Sequence, residues 1–119
     1  MPLRFGTTRM IVAIALTAAA CSSAPRQEHL TGWVSDANCG AAHAGGKNPS
    51  CVIKCAKGGA HIGHPEWTAQ PLVLVEDETN RVVTVQNPTA LSGFEAKHVT
   101  VTATRSGSEL HVDAVTPLP

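Results

Sequence analysis

Tyrosine is absent from the 119 residues, and aromatic side chains make up only 3% of them. That leaves little ring surface on which nucleic-acid bases could stack. Positive charge is not in excess either, because nine Lys and Arg balance nine Asp and Glu. From Cys21 onward the balance is seven basic against nine acidic residues, a net charge of −2 with neutral histidines. A chain without a phosphate-neutralising patch is not expected to bind nucleic acid. No apolar run reaches the roughly 18 residues that a membrane-spanning helix needs. A Ser-His-Asp arrangement, a paired-carboxylate site and a phosphate loop are also missing. The chain is therefore expected not to be an enzyme, with thiol redox chemistry the one activity left open.

The first twenty residues read as a secretory signal. Arg4 and Arg9 form a basic start, and Ile11-Val-Ala-Ile-Ala-Leu16 is a short apolar centre. The small residues of Leu16-Thr-Ala-Ala-Ala-Cys21 then resemble a bacterial lipobox, with Ala18 where leucine is most usual. The reading is that Cys21 carries an acyl anchor into a lipid bilayer. The alternative is simple cleavage near Ala20, leaving Cys21 a free thiol. Residues 21–28 then form a tether, and 29–119 a single domain. Ser22 and Ser23 come directly after the cysteine, where no Asp stands. In a bacterium with two membranes this points to the periplasmic side of the outer membrane or to the cell surface.

The domain is read as mainly β. Strands are expected over 29–35, 72–75, 81–85, 97–104 and 109–115, from their alternation and their bounding turns. Val99, Val101 and Ala103 share one buried face, as do Leu110, Val112 and Ala114. Asp36 suits the N-cap of a short helix from Ala37 to about Ala44, ended by Gly45-Gly46. A second helix has Asn48 as cap, Pro49 in its first turn, Ser50 to Lys57 as body and Gly58-Gly59 as stop. A single helical turn is expected within 87–93. Five short strands with helical insertion 36–59 after the first suggest a small OB-like barrel. A five-stranded roll or a meander sheet is the alternative.

The cysteines that remain after Cys21 all lie in that insertion. Cys39 and His43 are four residues apart, as are Cys51 and Cys55. In a helix each pair shares a face, with Cβ atoms about 5–6 Å apart. That is too far for a disulfide, which wants about 3.5–4.5 Å. Cys51 and Cys55 are therefore not expected to bond to each other. Cys39 could bond to either across a helical hairpin, leaving one thiol over. Cys39, His43, Cys51 and Cys55 together make a Cys₃His set, which suits tetrahedral zinc or, being sulfur-rich, Cu(I). His61 and His64, in the next loop, are auxiliary ligand candidates. Asp36 could serve as a ligand, but capping is the simpler role. A thiol oxidoreductase is the weakest reading, because Cys51 and Cys55 have one residue too many between them for a Cys-x-x-Cys motif. Covalent haem fails because Ala56 stands where the histidine would come after the second cysteine. Trp33 and Trp67 are expected as core or rim anchors, and His29, His98 and His111 as solvent-facing.

Residues 32–43, Gly-Trp-Val-Ser-Asp-Ala-Asn-Cys-Gly-Ala-Ala-His, precede Cys-x-x-x-Cys-x-x-x-Gly and a closing Val-Thr-Val-Thr-Ala-Thr…His-Val-Asp-Ala-Val. This pattern resembles a group of small exported bacterial proteins, often lipoproteins, with an OB-like β-domain. The likeness runs from about Leu30 to Val115, and the cysteine–histidine pattern is its most specific part. It implies the fold and no activity. One departure is Ala103, where such domains usually carry glycine. The expectation is thus a non-enzymatic envelope binding module with a Cys/His metal site. The alternative is a disulfide-stapled interaction domain. The protein or small-molecule partner is left open.

Overall fold

Strand β1 (Arg26–Asp36) has neighbours on both sides, so the rest of the sheet forms around it. The computed structural model describes residues 24–119, together with Pro2; the expected signal segment and the expected lipidation site, Cys21, lie outside the described residues. β1 begins at Arg26, so residues 26–28 belong to the sheet and not to the tether.

The other strands are β2 (Leu72–Glu76), β3 (Val82–Val83), β4 (His98–Ser106) and β5 (Glu109–Pro117). They form one antiparallel sheet in the order β3-β2-β1-β4-β5. A fourth strand returning beside the first is the Greek-key arrangement of a small, partly open OB-like barrel. The barrel is closed by hydrogen bonds past the end of β3. The Gln86 amide donates to the Leu110 carbonyl at 2.7 Å. The Asn87 side chain donates to the Val112 carbonyl at 2.9 Å and accepts from the Val112 amide at 2.8 Å.

Alternation places Val34, Leu72, Leu74, Val99, Val101, Ala103, Leu110 and Val112 in one core, with Leu91 and Val85 plugging it. Leu91 comes from a 3₁₀ turn (Pro88–Leu91), the single turn expected there. Ala114 is exposed, contrary to the alternation. Thr102 pairs with Ala114, while Ala103 pairs with Val112. Asp113 is thus an extra residue, a bulge that reverses the facing of the rest of the strand and turns Val115 inward. β3 is only two residues long, shorter than the expected 81–85.

The insertion between β1 and β2 covers the sheet's other face. Val73 and Val75 are buried there, opposite Leu72 and Leu74. Helix α1 (Pro49–Lys57) forms as expected, with the Asn48 side chain accepting from the Cys51 amide at 3.3 Å and Gly58 as its stop at φ 70°. The helix expected from Ala37 to Ala44 does not form. A turn comes after β1, and then a 3₁₀ turn (Gly40–His43). Gly40 takes φ +51°, which an α-helix cannot continue through. Ser35 Oγ donates to the Gly40 carbonyl at 2.8 Å, tying this turn to the sheet.

Candidate metal centre

The end of β1 sets the site. Asp36 is completely buried, and its Oδ1 accepts from the amides of Asn38 and Cys39, both at 2.9 Å. This is a side-chain-closed turn of the kind aspartate favours. It holds Cys39 at 8% exposure, facing α1. On α1, Val52 is fully buried and fixes the helix face that carries Cys51 and Cys55. The loop after α1 folds back on the helix end, where the Gln70 amide donates to the Cys55 carbonyl at 2.9 Å.

The three sulfurs converge. Cys39 Sγ lies 3.5 Å from Cys51 Sγ and 3.6 Å from Cys55 Sγ. These are contacts between free thiols, well beyond the S–S bond length of about 2.05 Å. Two sulfurs on one tetrahedral zinc, each at about 2.3 Å, stand about 3.8 Å apart, so the spacing is close to that of metal ligands. Cys39, His43, Cys51 and Cys55 all lie in clusters close enough to hold a metal ion. Cys39 and His43 come together although no α-helix joins them, because the 3₁₀ turn returns the chain to the same place.

The potential ligand atoms form two groups, each within 4.8 Å. One comprises Cys39, His43 and Cys51; the other comprises Asp36, Cys39 and Cys55. Cys39 belongs to both. Burial, and then the adjoining Asp36 carboxylate and the neighbouring thiols, push the Cys39 thiol far above its ordinary range. Without a cation it is therefore a neutral thiol, unsuited to nucleophilic attack; a bound cation would reverse that preference.

Two buried side-chain polar atoms in the described residues have no hydrogen-bond partner, Asp36 Oδ2 and His43 Nδ1. One belongs to a residue of each group. Buried polar atoms are nearly always paired, so an unpaired one in a ligand cluster is a candidate donor to something absent. Asn38 Nδ2 points at Cys55 Sγ from 3.8 Å, an N–H donor placed for a thiolate.

His61 and His64 are not brought into either group. His64 instead stacks on Trp67 at 3.9 Å between ring centroids and bonds Glu66 at 2.9 Å. Trp67 is 53% exposed, a rim residue. With Asn38, Lys54 and Gln70 it lines an open groove of about 300 Å³ that reaches Cys55. His98 is not simply solvent-facing. Its ring stacks on Trp33 at 4.7 Å, and its Nε2 meets Asp77 Oδ2 at 2.7 Å. That contact depends on the β1–β4 register, which pairs Trp33 with His98 and which no local pattern reveals.

The chain matches no protein-family model, no curated protein and no solved structure.

Proposed function

We propose that this protein is a non-enzymatic metal-binding module of the bacterial cell envelope, lipid-anchored through Cys21. Its ligands are Cys39, His43, Cys51 and Cys55. The observation that carries the reading is the convergence of two free thiols on a third, buried one, at 3.5 and 3.6 Å, with His43 beside them. Sulfur-rich sites of this type suit zinc or Cu(I). The β-barrel supplies the rigid frame, and the insertion supplies every ligand. The leader and the lipobox-like residues before Cys21 support export and anchoring. Among the described residues no helix is long and apolar enough to cross a membrane; in this reading the acyl chain on Cys21 is the membrane attachment.

The test is the native and denatured mass of the full chain, isolated in mild detergent without chelator. Metal in the native mass and three unpaired thiols after denaturation support the reading. It fails if Cys51→Ser holds zinc and copper as tightly as the parent. An N-terminal peptide without an acyl group would remove the anchor and leave the metal site standing.

The sulfur spacing also favours a second reading, because small side-chain rotations would let Cys39 bond to Cys51 or Cys55. That disulfide would staple the insertion and make the barrel surface the binding face. It would appear as a metal-free mass lower by two hydrogens, with a Cys39 cross-link on peptide mapping.

A further inference from the structure

We infer that the site is a binuclear zinc centre in which the Cys39 thiolate bridges two ions, with Asp36 as a ligand to the second. The inference rests on the metal-binding reading above and extends it. The first ion takes Cys39, His43 and Cys51. The second takes Asp36, Cys39 and Cys55. Each ion has three protein ligands, and water completes its tetrahedron.

The arrangement of the ligand atoms and the unpaired oxygen of Asp36 both point this way. The candidate ligand atoms separate into two sets that share Cys39 and nothing else. The two orphaned polar atoms, His43 Nδ1 and Asp36 Oδ2, belong to residues of different sets, one to each. Asp36 has no solvent exposure at all, and its caps use only Oδ1. A buried carboxylate with a free oxygen is costly unless a cation or donor meets it. Cys39 also stands at nearly equal distances from the other two sulfurs, 3.5 and 3.6 Å, as a bridging sulfur would.

Charge supports the same count. Three thiolates and one carboxylate carry four negative charges, which two Zn²⁺ ions cancel. One Zn²⁺ on the same four ionised groups would leave a net charge of −2, the fully buried aspartate's own charge included. The carboxylate oxygen favours zinc over Cu(I), which prefers sulfur. Binding releases the thiol protons, so the centre fills by exchanging protons for zinc with no change of oxidation state.

The experiment is a zinc titration of the full chain in mild detergent, with native mass spectrometry under reducing conditions as the readout. The parent is expected to saturate at two zinc ions per chain. Asp36→Asn keeps the capping oxygen and removes the charge; it should saturate at one. Cys55→Ser should also stop at one, as should His43→Ala. Cobalt(II) substitution gives a second readout. Two cobalt ions sharing a thiolate should be magnetically coupled in the parent, and the coupling should vanish in Asp36→Asn. A parent that binds one zinc overturns the binuclear inference and leaves the metal-binding reading intact. A parent that binds none overturns both. Two ions retained by a folded Asp36→Asn would remove Asp36 from the site and overturn the assignment.

Discussion

Gly32 pairs with Glu76 on one side and with Val99 on the other. A Cβ there would collide with the Val75 carbonyl, so the strands approach through this residue. Gly32→Ala should destabilise the domain by about 1–3 kcal/mol, the usual range for overpacking, read as a lower urea midpoint. At the far end of β1, Arg26 faces Arg105 across the sheet, and Glu28 accepts from Arg105 Nε at 2.8 Å. The hydrogen bond from Arg105 lowers the Glu28 pKa. A lowered carboxylate contributes stability above its unfolded pKa and loses it as pH falls through the folded one. Glu28→Gln should therefore be less stable at pH 7 by about 0.5 kcal/mol, as expected for a partly exposed pair. The gap between parent and variant should close in acid unfolding curves below the folded pKa. Residue roles differed in how legible they were. Asp36 was readable as a capping residue, though of a short helix where the chain makes a turn closed by its side chain. Its second, unpartnered oxygen was not, because that depends on which side chains the fold brings against it.

Helix α1 has nine residues, too few to be stable alone. Its cap, its early proline and its glycine stop all act through local backbone chemistry, and all were legible in the sequence. What holds it is Val52 in the interior and, in the proposed function, metal on Cys51 and Cys55. Asn48→Ala should cost about 1 kcal/mol through the lost cap. Hydrogen exchange should show the loss at the Cys51 amide, which that cap binds. Removing metal from the loaded protein with a chelator should loosen Pro49–Lys57 before the barrel. Amide protection should fall there while Val99 and Val101, at the centre of the core, keep theirs. Equal loss in both regions would mean that the insertion and barrel unfold as one unit. Two of the departures from the expected elements are each set by a single unusual backbone position. Gly40 at positive φ turns an expected helix into a 3₁₀ turn. The Asp113 bulge exposes Ala114. Alternation and capping patterns assume regular geometry on both sides of a residue, and these two positions break it.

At the scale of the whole molecule, the sheet order places β3 and β5 at opposite edges, yet the barrel closes. The strand count and class were legible in the alternating apolar residues and turns, which the sequence displays directly. Closure was not, because β3 ends after two residues and a side chain takes over the ladder. Asn87 carries both a donor and an acceptor, so its amide can imitate a backbone peptide against Val112. An edge left open would expose unpaired backbone groups, a template for pairing with another chain. Asn87→Ala removes both bonds and leaves the Val112 amide and carbonyl without their partner. Leaving such groups unsatisfied costs about 1–3 kcal/mol where water does not reach them. The variant should unfold at lower urea, its Val112 amide should exchange faster than in the parent, and it should self-associate more readily at high concentration. Asn87→Asp separates the terms, because it keeps the acceptor for the Val112 amide and loses the donor to its carbonyl. If Asn87→Asp matches the parent, the accepted bond suffices beside the Gln86–Leu110 backbone bond to seal the barrel; if it falls with Asn87→Ala, closure needs both halves of the amide.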